Sequence, residues 1–234
     1  MSVTFAGRTL DQVTKHDPLS LNYLVGDRLT PVPRRSRYWV PGKILDQGRE
    51  GACTGFAASA DAAASPVRVP GVDDRYAQAW YKRAQQLDEW PGENYEGSSV
   101  NATMKVMRER GLIDGWWWCK TIEELVQAII QLGPSVIGVP WREGMYETRP
   151  DGLVEVHGKV VGGHALLVNG YSPKYAKLGE VLRWQNSWGL GYGRKGHGYI
   201  RLDAFQSLAF TGDGEVAVSV GRKLPARSQL ALAA

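Results

Sequence analysis

The stretch Asp46–Ala57, with the sequence DQGREGACTGFA, places one cysteine directly before a run of small and apolar residues. That run predicts the first turns of a buried helix, so Cys53 would lie at a helix N-terminus. Unpaired N–H groups and the positive end of the helix dipole favour an anion there, and a thiol so placed tends toward the thiolate, which attacks carbonyl carbon. Gln47 lies across a glycine-containing turn, where its amide could donate, with the N–H of Cys53, to an oxyanion. The stretch therefore predicts half of an acyl-transfer site.

A base, and a group to orient it, follow further along the chain. His164 lies in the strand-like segment GGHALLVNGY, in which two glycines precede the imidazole, and Asn186 lies in the aromatic segment WQNSWG. A histidine beside a cysteine can hold the thiolate as an ion pair and later protonate a leaving amine, while an amide oxygen fixes the tautomer and angle of the ring. We therefore expect Cys53, His164 and Asn186 to meet in the folded chain.

The order Gln, Cys, His, Asn, in the contexts QGxxGxC, GGHAxLVxGY and NSWGxGYG, resembles the papain-like cysteine peptidases of bacterial or phage type over about residues 30–220. The resemblance implies that Cys53 is the nucleophile and His164 the general base. It implies that Gln47 contributes to the oxyanion hole, that Asn186 orients the histidine, and that Trp188 shields the bond between them. These implications amount to peptide-bond hydrolysis through a thioester, with no cofactor.

The same resemblance implies where an extended polypeptide substrate binds. Gly97 and Ser98 would offer their backbone to it as an extra strand. Gly162 and Gly163 would wall a roomy pocket for the second residue before the cut, and Trp188 would complete the substrate-binding set.

Two departures from the family pattern lie beside the nucleophile. Where the family signature reads CGSCW or similar, Glu50 stands in place of the first cysteine and Thr54 in place of the tryptophan. The first departure removes the disulfide commonly made near the active site, so local rigidity must come from packing. The second leaves the shape of the primed side of the cleft open.

Helical patterns come early in the chain and strand patterns come late, which predicts an α+β fold. With the resemblance, the expectation is a two-lobed papain-like fold: an N-terminal helical lobe, a C-terminal antiparallel β-sheet or barrel lobe, and the active-site cleft between them. We divide the chain into a short extension (1–29), a catalytic domain (30–221) with lobes at about 50–133 and about 134–221, and a flexible tail (222–234). Three helix starts carry capping signals: Asp73 or Asp74, Ser98 or Ser99, and Thr121 with Glu124.

Composition limits the compartment and the partners. The chain has 234 residues, two cysteines and a net charge of +4. If Cys53 is reactive, Cys119 is unpaired, and a reducing compartment is favoured. No signal peptide or membrane span is visible, so we expect a cytoplasmic monomer with no membrane or nucleic-acid partner. No histidine pair has metal-ligand spacing, so no metal site is expected, and His157 and His197 are predicted at the surface.

Several alternatives stay open at the level of sequence. The same chemistry could cleave cell-wall peptides or isopeptides, or pass the acyl group to an amine, and a papain-like module could bind peptides without cutting them. The run Trp116–Trp118 has two interpretations, core packing or a hydrophobic rim beside the substrate.

Overall fold

The computed structural model describes residues 3–5, 7–13, 23–26, 28–88, 90, 96–212 and 214–224. The predicted flexible tail lies outside these residues from 225 onward, as do residues 14–22 of the predicted extension. The helices are α1 (Cys53–Ala63), α2 (Asp74–Leu87), α3 (Val100–Glu109), α4 (Ile122–Gln131) and α5 (Leu202–Phe210). The strands are β1 (Val3–Phe5), β2 (Arg8–Leu10), β3 (Arg37–Tyr38), β4 (Gly115–Trp118), β5 (Ser135–Arg142), β6 (Val160–Ser172), β7 (Val181–Gln185), β8 (His197–Arg201) and β9 (Glu215–Val220).

One antiparallel sheet organises the chain. Its strand order is β4-β9-β5-β6-β7-β8, and β3 adds to β6 as a seventh strand. Within the described residues β4 and β8 stand at opposite ends of this order, so the sheet is open and the barrel alternative is wrong. Strands β1 and β2 form a separate two-stranded hairpin.

Helices cover both faces of the sheet, as the alternation of side chains along a strand allows. In β9, Ala217 packs in the apolar cluster with α1, α2 and α3, while Val216 and Val218 pack in the cluster with α4 and α5. The predicted α+β class, with helices on an antiparallel sheet, is therefore confirmed. Residues 111–133 include β4, which is a strand of the sheet, and α4, which packs on the second face of the sheet. The lobe boundary near 133 stays a prediction.

Helix α1 is the centre of the first helical layer, and all eleven of its residues are buried. Small side chains make this possible, because they let neighbouring backbones approach. A Cβ on Gly55 would lie 2.6 Å from the backbone nitrogen of Tyr81 in α2. Ala52 offers no side-chain cap, so the first-turn N–H groups beside Cys53 are left for another acceptor.

The predicted helix caps are found at specific residues. Asp73, Ser99 and Thr121 each accept a hydrogen bond from the backbone N–H three residues later. Glu124 turns back to the N–H of Lys120, one residue before the expected partner of a capping box. In β4, Trp116 and Trp118 are buried, as the packing interpretation of the tryptophan run expects, and Trp117 is half-buried beside Arg28.

A buried ion pair ties α1 to the sheet. The Asp61 side chain is 0% exposed and lies 2.8 Å from the guanidinium of Arg222, which is 7% exposed. Ser219 of β9 donates to the same carboxylate, and Arg222 also donates to the carbonyl of Pro134 just before β5. Removing one partner of such a pair leaves a buried charge without compensation.

We predict that Asp61→Ala lowers the free energy of unfolding by about 3–5 kcal/mol, because Arg222 then stays buried without its carboxylate. Urea denaturation measures the change. The matched control is Arg83→Ala, which removes an exposed pair with Glu109 and should cost less than about 1 kcal/mol. Equal losses in the two variants would contradict the assignment of a structural role to the buried pair.

Candidate active site

The structure brings Cys53 against strand β6. The thiol is 0% exposed at the start of α1. Backbone N–H groups of Ala165, Asp11 and Thr54 face its sulfur. Ala165 directly follows His164, so the predicted nucleophile and the predicted base lie at the junction of the helix and the strand.

His164 is hydrogen-bonded to Asn186, the predicted orienting residue. The His164 Nε2 and Asn186 Oδ1 atoms are 2.9 Å apart, and both residues are buried. The same Oδ1 accepts the backbone N–H of Ser187 at 2.8 Å, which identifies it as the oxygen of the amide. Since an amide oxygen only accepts, Nε2 must carry the proton, and in the neutral ring Nδ1 is then the free base. Nδ1 has no hydrogen-bond partner among the described residues.

An aromatic cage surrounds the His164–Asn186 bond. The Trp188 ring lies 4.9 Å from the imidazole between centroids, and Trp141 lies 4.8 Å from it, edge to face. The Tyr146 ring stacks on the Trp188 ring, with the two centroids 5.4 Å apart. His164 and Asn186 are 0% and 1% exposed beneath these rings, and the shielding role of Trp188 stays a prediction of the resemblance.

Gln47 is fixed in the turn before α1 by three hydrogen bonds. Its backbone N–H donates to the carbonyl of Ser187, and its Oε1 accepts the Ser187 hydroxyl at 2.6 Å. Its Nε2 donates to the carbonyl of Glu50 at 2.8 Å. Because Ser187 follows Asn186, one short segment positions both predicted amide residues.

Residues 8–13, from the predicted N-terminal extension, cover this site. Arg8 forms an ion pair with Asp46 at 2.6 Å and donates to the carbonyls of Gly48 and Trp188. Thr9, Leu10, Asp11 and Gln12 follow and are buried, and the thiol of Cys53 and the imidazole of His164 beneath them are 0% exposed. We call residues 8–13 the covering segment.

The predicted substrate-binding residues hold the covering segment. Gln12 donates its backbone N–H to the carbonyl of Gly163 at 2.9 Å, and Val13 donates to the carbonyl of Ser98 at 3.1 Å. A Cβ on Gly97 would lie 1.9 Å from the carbonyl oxygen of Asp11, and one on Gly162 would lie 2.9 Å from Leu10. The walls of the cleft therefore hold an extended chain between them, and that chain is the protein's own.

Burial by the covering segment sets the electrostatics of the site. Burial raises the pKa of the Cys53 thiol to about 11, against the opposing effect of the backbone N–H groups around it. Burial also lowers the pKa of His164 to about 4, outweighing the hydrogen bond to Asn186, and the charge of Arg8 lowers it further. At neutral pH the covered pair is therefore an uncharged thiol and an uncharged imidazole.

The sequence does not predict several residues of this site. The covering segment lies within the predicted extension (1–29), for which no role in the site is predicted, although RTLDQV has the apolar Leu10 and Val13 among polar residues. Ser187 and Glu215, which holds the side chain of Gln12, carry no local signal at all. The surface prediction for His197 was wrong: the residue is buried at 9% exposure, beside Asn169 and the carbonyl of Lys195. His157 is exposed, as predicted.

Neither a metal cluster nor a membrane-spanning helix is found in the described part of the chain. No group of three or more histidine, cysteine, aspartate or glutamate side chains there could hold a metal ion. No helix there is long and apolar enough to cross a membrane. Cys53 and Cys119 are both buried free thiols.

Several solved structures with a similar fold are cysteine proteases of one fold type. Xylellain, a cysteine protease from Xylella fastidiosa, matches with a TM-score of 0.66 at 15% identity, covering 92% of this chain and 96% of its own. The chain has the papain-like fold. Digestive procathepsin L 3 of Tenebrio molitor matches at 0.64 with 14% identity (86% and 74% covered), and bromelain from Ananas comosus at 0.62 with 16% identity (82% and 100% covered). No family model and no curated protein matches the sequence.

Within this papain-like fold, the two departures beside the nucleophile have structural roles. The carboxylate of Glu50 accepts from Gln78 and pairs with Lys82, both in α2, so polar links tie the turn before Cys53 to the next helix. Thr54 is fully buried, and its carbonyl accepts the hydroxyl of Thr103 in α3. These contacts supply packing and hydrogen bonds where the family signature carries a cysteine and a tryptophan.

We predict that Leu10→Asp raises the rate at which iodoacetamide alkylates Cys53 near pH 7 by at least about tenfold, because a carboxylate is unfavourable at this buried position and detaches the covering segment. Rehydration lowers the thiol pKa and raises that of His164, so the rate of labelling should rise at a lower pH than in the wild type. Intact-mass analysis from about pH 6 to about pH 10, in a Cys119→Ala background, measures it.

The matched control is Val13→Asp, which places the same carboxylate on an exposed residue of the same segment. It should leave the pH profile of labelling close to that of the wild type. Rapid labelling of the wild type at neutral pH would show that the segment does not cover the site in solution.

Proposed function

We propose that this chain is a cysteine endopeptidase that hydrolyses peptide bonds through a thioester on Cys53. The observation that carries the proposal is the orientation of His164. Its Nε2 is held by Asn186, which leaves Nδ1 as the unprotonated nitrogen, and the next residue, Ala165, places its backbone N–H at the Cys53 sulfur. A base with a fixed tautomer beside a thiol at a helix N-terminus is the arrangement that activates a sulfur nucleophile.

The proposed reaction has two stages, acylation and deacylation, and His164 transfers protons in both. His164 Nδ1 takes the thiol proton, and the Cys53 sulfur attacks the scissile carbonyl carbon. The N–H of Cys53 and the Gln47 amide donate to the oxyanion. The C–N bond then breaks as the imidazolium returns the proton to the amine, which leaves a thioester. His164 next takes a proton from water, the resulting hydroxide attacks the thioester, and the carboxylic acid and the thiol are released.

Orientation explains why the covering segment can lie in the cleft uncut. Asp11 presents its N–H to the Cys53 sulfur, while its carbonyl oxygen lies against Gly97. Gln12 pairs with Ser98 as a parallel bridge. A carbonyl carbon must meet the sulfur for acyl transfer, so this segment blocks the site without being a substrate.

Substrate would take the place of the covering segment. The carbonyls of Gly163 and Ser98, which now accept N–H groups of Gln12 and Val13, are the acceptors that an extended polypeptide would use. Under this proposal the covered site is a latent form, and hydrolysis requires residues 8–13 to leave the cleft. A cytoplasmic monomer acting on extended polypeptides stays our expectation for this enzyme.

We predict that Cys53→Ala, in the Leu10→Asp background, lowers kcat/KM on a casein-derived fluorogenic peptide by at least about 10⁴-fold, because no other group replaces the nucleophile. Gln47→Ala should lower kcat by about 10²–10³-fold through loss of an oxyanion donor. Cys119→Ala is the matched control and should retain activity, since that thiol lies in the second apolar cluster with Leu125.

Product mass separates the alternatives in the same assay. Hydrolysis gives a free carboxylate, whereas an acyl transferase gives an amide with an added amine. Bacterial cell walls offered beside casein would identify a wall-peptide hydrolase. A folded protein that binds the peptide without cutting it would refute the proposal in favour of a binding module.

We predict that Asn186→Ala lowers kcat at least about tenfold with a smaller change in KM, because the imidazole loses the bond that fixes its tautomer and angle while the peptide-binding walls remain. Steady-state kinetics in the Leu10→Asp background measure both constants. An unchanged kcat would show that Asn186 does not position the base.

A further inference from the structure

A row of side chains crosses four strands of the sheet at a distance from the cleft. Tyr38 of β3 lies opposite Gly170 of β6, which is about 20 Å along that strand from His164. Arg183 of β7 comes next in the row, and Tyr199 of β8 ends it. Gly170 has no side chain, and a Cβ there would clash with the Tyr38 ring. The ring therefore lies over Gly170 and reaches Arg183, whose Cζ is 4.9 Å from the ring centroid.

Two residues from neighbouring loops complete this group. The Tyr175 ring, from the loop between β6 and β7, stacks on the Tyr199 ring with the centroids 4.4 Å apart. Arg194, from the loop between β7 and β8, donates its Nη1 to the Tyr175 hydroxyl at 3.0 Å. We call the five residues the tyrosine–arginine patch: Tyr38, Tyr175, Arg183, Arg194 and Tyr199.

The guanidinium of Arg183 is half-buried and is held by neutral groups. Its Nε donates to Oδ1 of Asn169 at 2.8 Å, and its Nη2 donates to the carbonyls of Trp39 and Asn169. In the described part of the chain, Nη1 donates to no group and no carboxylate forms an ion pair with Arg183. Burial lowers the pKa of Arg183, because the cation has lost water without gaining an anion. An anion bound to this guanidinium would compensate its charge.

Carboxylates that flank the same two strands have other partners. Glu180, just before β7, pairs with Arg34, and Asp203, just after β8, pairs with Arg201. The fold therefore keeps its own acidic groups away from Arg183. Its counter-charge has to come from another molecule.

The tyrosine hydroxyls supply further hydrogen-bond donors beside Arg183. Burial raises the pKa of Tyr38, and it raises the pKa of Tyr199 to about 12, so both phenols stay protonated at neutral pH. The hydroxyl of Tyr199 faces that of Tyr175. A protonated phenol donates to an oxyanion, and a guanidinium adds charge to the same bond.

Exposure and charge around the patch favour an acidic polypeptide over a small anion. Tyr38 is 38% exposed, so the patch is an open surface. Exposed basic residues adjoin its members in the sequence: Arg37, Lys174 and Lys195. An extended chain with several carboxylates can meet Arg183 and these outer charges together. Tyrosine and arginine are also the residue types enriched at the anchoring positions of protein interfaces.

We propose that the tyrosine–arginine patch binds an acidic segment of a polypeptide, with one carboxylate against Arg183. That carboxylate accepts from Nη1 of Arg183 and from the tyrosine hydroxyls. Arg194 and the outer basic residues attract the rest of the segment. The patch lies outside the cleft, so binding needs neither the Cys53 thiol nor release of the covering segment, and it is independent of the proposed peptidase activity.

Fluorescence anisotropy of a fluorescein-labelled peptide of repeated Glu-Gly units tests the proposal, and the Gln-Gly peptide of equal length is the matched control. All proteins carry Cys53→Ala, so the proposed peptidase cannot cut the probe. At low salt and neutral pH, the glutamate peptide should bind at least about tenfold more tightly than the glutamine peptide, because its bonds to the patch are charge-assisted.

Substitutions locate the binding to the patch. Arg183→Gln should weaken binding of the glutamate peptide at least about tenfold, and Arg194→Gln at least about threefold. Tyr38→Phe keeps the ring, removes one donor and should weaken binding about twofold to threefold. Arg194 and Tyr38 are exposed, so these two variants keep the test valid if Arg183→Gln folds poorly. The control Arg83→Gln, at an exposed arginine of α2 paired with Glu109, should change the affinity less than about twofold.

Three results would overturn the proposal. Equal affinity for the two peptides would show that no carboxylate is recognised. Equal weakening by Arg194→Gln and Arg83→Gln would show only a general attraction to a basic protein. Displacement of the peptide by inorganic phosphate, at concentrations at which sodium acetate has no effect, would identify a phosphate site in place of a site for acidic polypeptide.

Discussion

The fit of α1 between the other helices and the sheet is the constraint on which the rest of this structure depends. Every residue of α1 is buried, and its small side chains let α2 and β6 approach closely. This packing fixes the first residue of the helix, Cys53, beside the backbone of Ala165, and the Asp61–Arg222 pair anchors the helix further along. A longer side chain at Gly55 would move the helix and, with it, the thiol.

The protonation states of Cys53 and His164 depend on whether the covering segment occupies the cleft. Helix N-terminus and backbone N–H groups favour the thiolate, yet burial under the covering segment outweighs them and holds Cys53 and His164 uncharged. Under the proposed function, the same residues form an uncharged pair when covered and an ion pair when water and substrate enter. Control of the proposed activity then needs no change in the catalytic geometry, only a change in occupancy.

The cleft holds the covering segment by its backbone and by its side chains. Gly163 and Ser98 hold the backbone of the covering segment, and Glu215 accepts a hydrogen bond from the side chain of Gln12. Backbone acceptors recognise any extended chain, whereas a buried carboxylate distinguishes among side chains. Under the proposed function, an extended substrate would use the same backbone acceptors that hold the covering segment.

Sequence alone determined the features that local chemistry decides. The thiol before a run of small residues, the histidine after two glycines and the asparagine in WQNSWG were identifiable because each motif is contiguous, and the helix caps were identifiable because a cap bonds an N–H three residues away. Only the tertiary structure decided that residues 8–13 fill the cleft, that the sheet stays open, that His197 is buried, and that the Gln12 side chain meets Glu215 beside Gly138. Each of these depends on contacts between residues far apart in the chain, for example Gln12 and Glu215, whose meeting is set by strand order and packing and has no local pattern in the sequence.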